Sequence, residues 1–299
     1  IRRQDAVHED VELLRQDIKL IEQKFSEFQT LRFTIHPLVI DENLITRDLL
    51  PLPSSPCRTM KLEFDEFPAL ATNDKNLLVH RSPNLTLLDR HFTVVKEVPW
   101  THEDIWDMCW STALNRYIIV TSKEVFMLDH STMNATQCPI SSDVEWSRAT
   151  CSASSLFLLT QGLGPSLFEY RLPPSNKNVK QRSSPETCEQ CEHIFDLKSN
   201  NKTLAMIIYN TETGITRLDL RSSSNFQCLW SADVGQGFRC CLLQDEQGMV
   251  VDALTRRLFH ISNNGQVLKV DKYLHEPWNV FQWGKFIIGI RTKDSIHLY

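Results

Sequence analysis

The sequence predicts an all-β protein: a six-bladed β-propeller closed by an N-terminal strand and preceded by an amphipathic, coiled-coil-like helix. The main observation is an apolar strand core that recurs six times along the chain. One anchor from each core gives spacings of 41, 39, 49, 44 and 37 residues, which are typical of blades of four strands. The anchors are Leu78, Ile119, Leu158, Ile207, Val251 and Ile288.

A heptad pattern at the start of the chain predicts a helix over residues 1–35. Its apolar positions follow one another at alternating spacings of four and three residues, which is the seam of a coiled coil. Either the helix packs on its own domain, or it is the end of a longer coiled coil that self-associates. The unbroken seam favours self-association, and the missing initiator Met predicts a fragment or a processed product. The seam residues are Val7, Val11, Leu14, Ile18, Ile21, Phe25 and Phe28.

Residues 36–57 are predicted to form an extended, proline-rich linker. Pro37 disfavours helical backbone at His36, and three further prolines between residues 50 and 56 stiffen the segment. The propeller is therefore expected to cover residues 58–299.

The two ends of this propeller complement each other. The sixth unit offers only three strands before the chain stops, whereas residues 59–64 form a spare strand before the first blade. Pairing them closes the ring and leaves no open sheet edge between the last and first blades. The longest polar insertion, residues 173–185, is predicted to be a mobile surface loop of the third blade.

Composition limits the classes of partner and the cellular location. A net charge of -5 and an isoelectric point near 6.1 provide no basic field, so neither nucleic acid nor an anionic membrane is expected as partner. No stretch approaches the ~20 apolar residues that span a bilayer. Nine cysteines, an odd and scattered set, are typical of reduced thiols and predict a cytoplasmic protein.

No catalytic, cofactor or metal site is predicted from the sequence. Cys188, Cys191 and His193 lie close together, but a fourth ligand and a second paired motif are missing. The chain also has no nucleophile elbow, P-loop or dinucleotide fingerprint. These residues are therefore expected to be non-enzymatic, with the full-length protein left open. The alternative is a small-ligand or enzymatic propeller that uses polar channel residues: Asp107, Arg148, Asp196, Arg239 and Gln282.

Aromatic and polar residues at comparable places between blades predict a partner-binding patch. Most of them lie in connections from the outer strand of one blade to the inner strand of the next, on a face that propellers commonly use for binding. Large aromatic side chains often anchor protein interfaces, although each Trp could instead pack between blades. We expect an adaptor whose helix self-associates and whose propeller binds an unidentified protein. The patch residues are His102, Trp106, Trp146, Gln236, Phe238, His275 and Trp278.

The order of seam, linker and propeller resembles the C-terminal part of tripartite-motif proteins with NHL-type propellers. The stretch His36-Pro37-Leu38-Val39-Ile40-Asp41-Glu42-Asn43-Leu44-Ile45 is similar to the segment after the coiled coil in B-box-like proteins. This resemblance implies an upstream RING or B-box module and a propeller that recruits substrate protein or RNA. It therefore leaves a second interpretation open, the substrate-receptor arm of a ubiquitin ligase. The repeated Gly-His and Trp-Asp pairs of WD40 repeats are missing.

Overall fold

The structure is a computed structural model that describes Leu52 and residues 55–62, 69–140, 143–172, 178–243, 247–285 and 287–299. The predicted helix and most of the predicted linker lie outside these residues. The described residues belong to one compact unit, Leu52–Tyr299, built from 24 strands in six four-stranded antiparallel sheets. Within this part of the chain, no helix has the length and apolar character needed to cross a membrane.

The first three sheets are blades 1 to 3, each built from four strands that are consecutive along the chain. Their strands are β2 (Leu70–Thr72), β3 (Leu77–Arg81), β4 (Asn84–Leu88) and β5 (Val94–Pro99); β6 (Asp107–Ser111), β7 (Arg116–Val120), β8 (Val125–Leu128) and β9 (Ala135–Gln137); β10 (Trp146–Cys151), β11 (Ser155–Thr160), β12 (Leu167–Arg171) and β13 (Asn178–Arg182).

Blades 4 and 5 repeat this order, and blade 6 combines the last three strands of the chain with the first. Their strands are β14 (Glu192–Ser199), β15 (Thr203–Asn210), β16 (Thr216–Ser222) and β17 (Cys228–Asp233); β18 (Arg239–Leu242), β19 (Gly248–Asp252), β20 (Arg257–Ile261) and β21 (Val267–Lys272); β22 (Pro277–Trp283), β23 (Ile287–Thr292), β24 (Ser295–Leu298) and β1 (Arg58–Lys61).

The first strand of each blade lines a central channel. These six strands contact one another in a closed circle, β2 to β6 and onward through β22 back to β2. The second strands carry the recurring apolar cores and are largely buried, whereas outer strands such as β5 and β21 are mostly exposed. The predicted six-bladed propeller is therefore confirmed.

The N-terminal strand β1 closes the ring. It pairs with β24 in antiparallel register, from Arg58 opposite Leu298 to Lys61 opposite Ser295. Further backbone hydrogen bonds extend the pairing at both ends, from Cys57 N–H to the Leu298 carbonyl (2.8 Å) and from Leu62 N–H to the Asp294 carbonyl (2.7 Å). The strand predicted within residues 59–64 therefore forms where the sixth blade lacks its outer strand.

Apolar side chains from neighbouring blades form the cores between them. Trp146 at the start of β10 is fully buried and packs with Ile118 and Val120 of blade 2 as well as Leu158 of its own blade. Trp283, at the end of β22, is also fully buried, in the core between blades 6 and 1. Because each core needs two blades, the blades stabilise one another around the ring.

The structure corrects the prediction that residues 173–185 form an irregular loop. Asn178–Arg182 instead form β13, the outer strand of blade 3. An outer strand needs backbone partners on one side only and few apolar side chains, so a polar stretch can supply it. Arg182 is buried, forms an ion pair with Glu186, and its guanidinium lies 4.6 Å from the ring centroid of Phe226.

Candidate functional site

A cavity of about 860 Å³ opens at one mouth of the channel. The chain enters the inner strands at this mouth: Trp106 immediately precedes β6, Phe238 precedes β18, and Trp278 lies near the start of β22. Cavities of several hundred Å³ lined by aromatic side chains with a few polar groups are typical of binding sites.

Six of the side chains that line this cavity are large and apolar, and we call these six the aromatic basin. Phe195 is central: its ring stacks on Tyr209 (centroids 5.2 Å apart, planes at 13°) and contacts Phe238 (5.3 Å, 54°). Leu254, in the turn between β19 and β20, is 79% exposed. The aromatic members are half-buried, so each ring is held in place by its neighbours and still presents surface to a ligand. The basin comprises Trp106, Phe195, Tyr209, Phe238, Leu254 and Trp278.

Irregular strand pairing directs two of these side chains toward the cavity. The pairing of β14 with β15 skips Phe195 between Ile194 and Asp196, and the pairing of β22 with β23 skips Trp278. A β-bulge changes the direction of the side chain at the extra residue. The bulges thus place Phe195 and Trp278 at the mouth although their neighbours continue the blade.

The structure brings together four of the seven residues predicted for the partner-binding patch. Trp106, Gln236, Phe238 and Trp278 line the cavity, and their role in binding stays a prediction. Trp146 must be corrected, because it is fully buried between blades 2 and 3 and offers no surface to a partner.

The two predicted histidines lie outside the cavity. His102 packs against Phe126 (4.4 Å between centroids) and Trp100 (4.8 Å). His275 packs edge-on against His297 (5.0 Å). Both are exposed and neither lines the cavity, so they would be peripheral to a ligand in the basin.

Charged side chains form the floor of the cavity and the wall of the channel behind it. Asp196 is fully buried and pairs with Arg239 and Lys198, each at 3.2 Å. It also accepts the Cys240 backbone N–H at 2.8 Å. Burial opposes ionisation of this carboxyl, but the nearby cations and the backbone donor outweigh it and lower its pKa to about 2.

The other channel residues are also engaged. Asp107 accepts backbone N–H groups from Met108 (3.0 Å) and from Ala149 of the next blade (3.1 Å). Burial would lower the pKa of Lys198, but the attraction of Asp107 and Asp196 raises it. The carboxylates of Asp107 and Asp196 therefore both serve to join blades.

Gln282 borders the opposite mouth of the channel, where its side-chain amide donates to the Lys285 carbonyl (3.2 Å).

A smaller cavity of about 400 Å³ lies at that opposite mouth. Cys109 and Cys151 border it on adjacent inner strands, with their sulfur atoms 3.6 Å apart. The hydrogen bond between Cys109 and Cys151, together with burial, raises the pKa of Cys109 well above its ordinary value. Thiols of raised pKa are poor nucleophiles, so this cavity carries no activated cysteine at position 109.

The Cys188-Cys191-His193 cluster is divided among separate partners. The Cys188 thiol is buried against the Glu192 carbonyl (3.8 Å), and burial raises its pKa to about 11. The Cys191 sulfur accepts from the Asn210 amide (3.6 Å), and His193 Nδ1 contacts the Gly162 carbonyl (3.0 Å). In the described part of the chain, no group of three or more His, Cys, Asp or Glu side chains is placed to hold a metal ion.

The fold is similar to those of known propellers, whereas no family model and no curated protein matches the sequence. A chain in the crystal structure of the mitotic checkpoint complex has a TM-score of 0.60 at 8% identity, covering 82% of this chain and 91% of that one. Streptogramin B lyase has a TM-score of 0.56 at 10% identity, covering 81% and 86%. The Pan2 WD40 domain of Neurospora crassa has 0.54 at 12% identity, covering 78% and 74%. At these identities the similarity establishes the propeller fold alone.

Sequence reasoning missed three members of the basin: Phe195, Tyr209 and Leu254. The bulge that exposes Phe195 leaves no mark in the sequence, and Tyr209 looks like the last residue of an apolar strand. Leu254 did leave a signal, since an apolar residue in the turn Ala253-Leu254-Thr255-Arg256 has no core to enter. A leucine in a turn on this face is therefore a signal of a binding surface, as an exposed tryptophan is.

Proposed function

We propose that this chain is a non-catalytic adaptor that binds a protein partner through the aromatic basin. The observation that carries the proposal is the basin itself, where half-buried aromatic rings surround an open cavity at the mouth of the channel. Interfaces are anchored by aromatic side chains that are held in place yet accessible. The engagement of both channel carboxylates in blade-to-blade bonds argues against acid–base catalysis at this mouth.

The rest of the proposal concerns the N-terminal segment and the cellular location. The heptad seam from Val7 to Phe28 would join two or more propellers, and linked propellers gain avidity without any new contact. A cytoplasmic location is supported by the nine cysteines, which are all free and are typical of a reducing compartment.

Introducing a charge at Leu254 is expected to abolish partner binding without unfolding the propeller. Leu254→Glu places a carboxylate in the basin, whereas Leu254 is 79% exposed and contributes little to the core. Leu274→Glu is the matched control, because Leu274 is 80% exposed and does not line the cavity. Proteins recovered from cells with the unaltered chain and each variant are compared by quantitative mass spectrometry. Equal recovery by both variants would contradict the proposed role of the basin.

The self-association proposal predicts that the mass measured in solution depends on the N-terminal segment. The 299-residue chain is expected to run as an oligomer in light scattering, whereas a chain that starts at Arg58 runs as a monomer. A full-length Ile18→Glu variant, which places a charge in the seam, should also run as a monomer. If all three chains are monomers at high concentration, the helix does not join propellers.

A further inference from the structure

Two arginines from different blades converge on the floor of the aromatic basin. Arg148 on β10 donates from Nε to the Phe195 carbonyl oxygen (2.6 Å), and Arg239 on β18 donates from Nη1 to the same oxygen (3.4 Å). Both side chains border the cavity and are more than nine-tenths buried, at 7% and 3% exposure. One carbonyl oxygen on the blade between them therefore holds the two guanidinium groups together.

The carboxylates nearby leave these cations incompletely neutralised. Asp196 is shared between Arg239 and Lys198, and the hydrogen bonds of Asp107 go to backbone N–H groups. Three cationic side chains of the channel thus face these two carboxylates: Arg148 and Arg239 line the basin, and Lys198 lies toward the opposite mouth. Burial, together with the positive charge of Arg239, lowers the pKa of Arg148 to about 10. The floor therefore carries a local positive charge in a chain whose net charge is -5.

The guanidinium groups also retain hydrogen-bonding capacity. Arg148 uses Nε and Nη1, which donate to the carbonyls of Phe195 and Ser147, and Arg239 uses Nη1 alone. Among the described residues, Arg239 Nε has no partner and neither Nη2 group makes a hydrogen bond. A carboxylate is the acceptor that best fits such planar donors. Glu276, the acidic residue that lines the cavity, is paired with Arg256 at 3.3 Å.

We propose that the aromatic basin binds a peptide segment of the partner in which an Asp or Glu side chain lies next to a bulky apolar side chain. The carboxylate reaches the floor at Arg148 and Arg239, and the apolar side chain packs against Phe195, Tyr209 and Leu254. This inference rests on the proposed function and specifies the chemistry of its ligand. The charge on the floor selects the acidic residue, while the aromatic wall supplies most of the contact area.

The test selects short peptides from a displayed random library on the immobilised 299-residue chain and measures their affinities as synthetic peptides. Selected peptides are expected to share an Asp or Glu beside an aromatic or large aliphatic residue. Changing that Glu to Gln, or Asp to Asn, in the peptide should weaken binding by about 10- to 100-fold. This comparison uses the unaltered protein, so it does not depend on the folding of a variant.

Protein variants then locate the site. Arg148→Lys should weaken binding of the acidic peptide more than binding of its amide version, because lysine keeps the charge but loses the planar fork. Lys269→Gln, at an exposed cation on β21 paired with Asp271, should change neither. Leu254→Glu should abolish binding of both peptides.

The outcomes separate the two proposals. If every selected peptide binds the Leu254→Glu variant as well as it binds the unaltered chain, the proposed function fails, and this inference fails with it. If peptides depend on Leu254 but bind equally as acid and amide, only the inference is overturned. Peptides that lose binding when the C-terminus is amidated, rather than when Asp or Glu is changed, would also overturn it, because the carboxylate would then be terminal.

Discussion

Replacing Asp196 with asparagine is expected to destabilise the propeller by about 3–5 kcal/mol. The substitution preserves the shape of the side chain and an oxygen that can accept the Cys240 N–H. It removes the negative charge that compensates Arg239 and Lys198, both at 3.2 Å. Arg239 is 3% exposed, so most of its charge would remain buried without an ion-pair partner in the chain. The measurement is the shift of the denaturant midpoint at unchanged slope.

A matched control separates this effect from the loss of any carboxylate. Asp271 pairs with Lys269 at 2.8 Å on the outer strand β21, where both side chains are more than one-third exposed. Exposed ion pairs of this kind contribute at most about 1 kcal/mol, so Asp271→Asn should leave the midpoint nearly unchanged. Equal losses of stability in the two variants would show that the channel ion pairs of Asp196 stabilise the propeller no more than a surface ion pair does.

The same carboxyl predicts a pH dependence. Its folded pKa is about 2, below the value of about 3.9 expected in an unfolded chain. The stabilisation that it provides is therefore complete above about pH 4 and is lost as the pH falls toward about 2. The difference in unfolding free energy between the unaltered protein and Asp196→Asn should be constant from neutral pH to about 4, and should shrink below it. A difference that stays constant to about pH 2 would contradict this assignment.

The ring was predictable from the sequence because the strongest signal lies on one strand of every blade. All six anchors fall on second strands, which lie between two hydrogen-bonded neighbours and are covered by adjacent blades on both faces. Such strands must be apolar along their length, so they stand out at regular spacing. The closing strand was predictable from counting, since blade 6 lacks one strand and β1 is available.

Other features left weaker signals or none. The outer strand β13 is polar because one edge faces solvent, and so its sequence looked like a loop. The basin depends on bulges at Phe195 and Trp278, and a bulge arises from pairing between strands that the sequence alone does not specify. Trp146 begins an inner strand, close to the places of Trp106 and Trp278 in their blades, yet it is buried between two blades. Position along the chain thus indicated the face of the ring but not which side chains reach its surface.

A cross-strand pair in blade 6 predicts a second large effect on stability. Gly289 on β23 lies opposite Phe281 on β22, and a Cβ atom at position 289 would overlap the outer carbons of the Phe281 ring. Phe281 is buried in the core between blades 6 and 1, so the ring has little room to move. Gly289→Ala is therefore expected to destabilise the propeller by about 1–3 kcal/mol through overpacking, measured by denaturant unfolding.

The cause can be isolated with a double-mutant cycle. Phe281→Leu removes the outer ring carbons that a Cβ would meet, so adding Gly289→Ala to this variant should cost almost nothing, because alanine is the better strand residue. Gly248→Ala on β19 is the control, since the nearest atom to its added Cβ is the end of the flexible Leu218 side chain at 3.3 Å. Additive effects at positions 281 and 289 would show that the aromatic ring does not require glycine opposite it. A favourable coupling would show that blade 6 depends on the Phe281 ring to cover the backbone of Gly289. Aromatic side chains cover glycines on neighbouring strands in this way in other sheets.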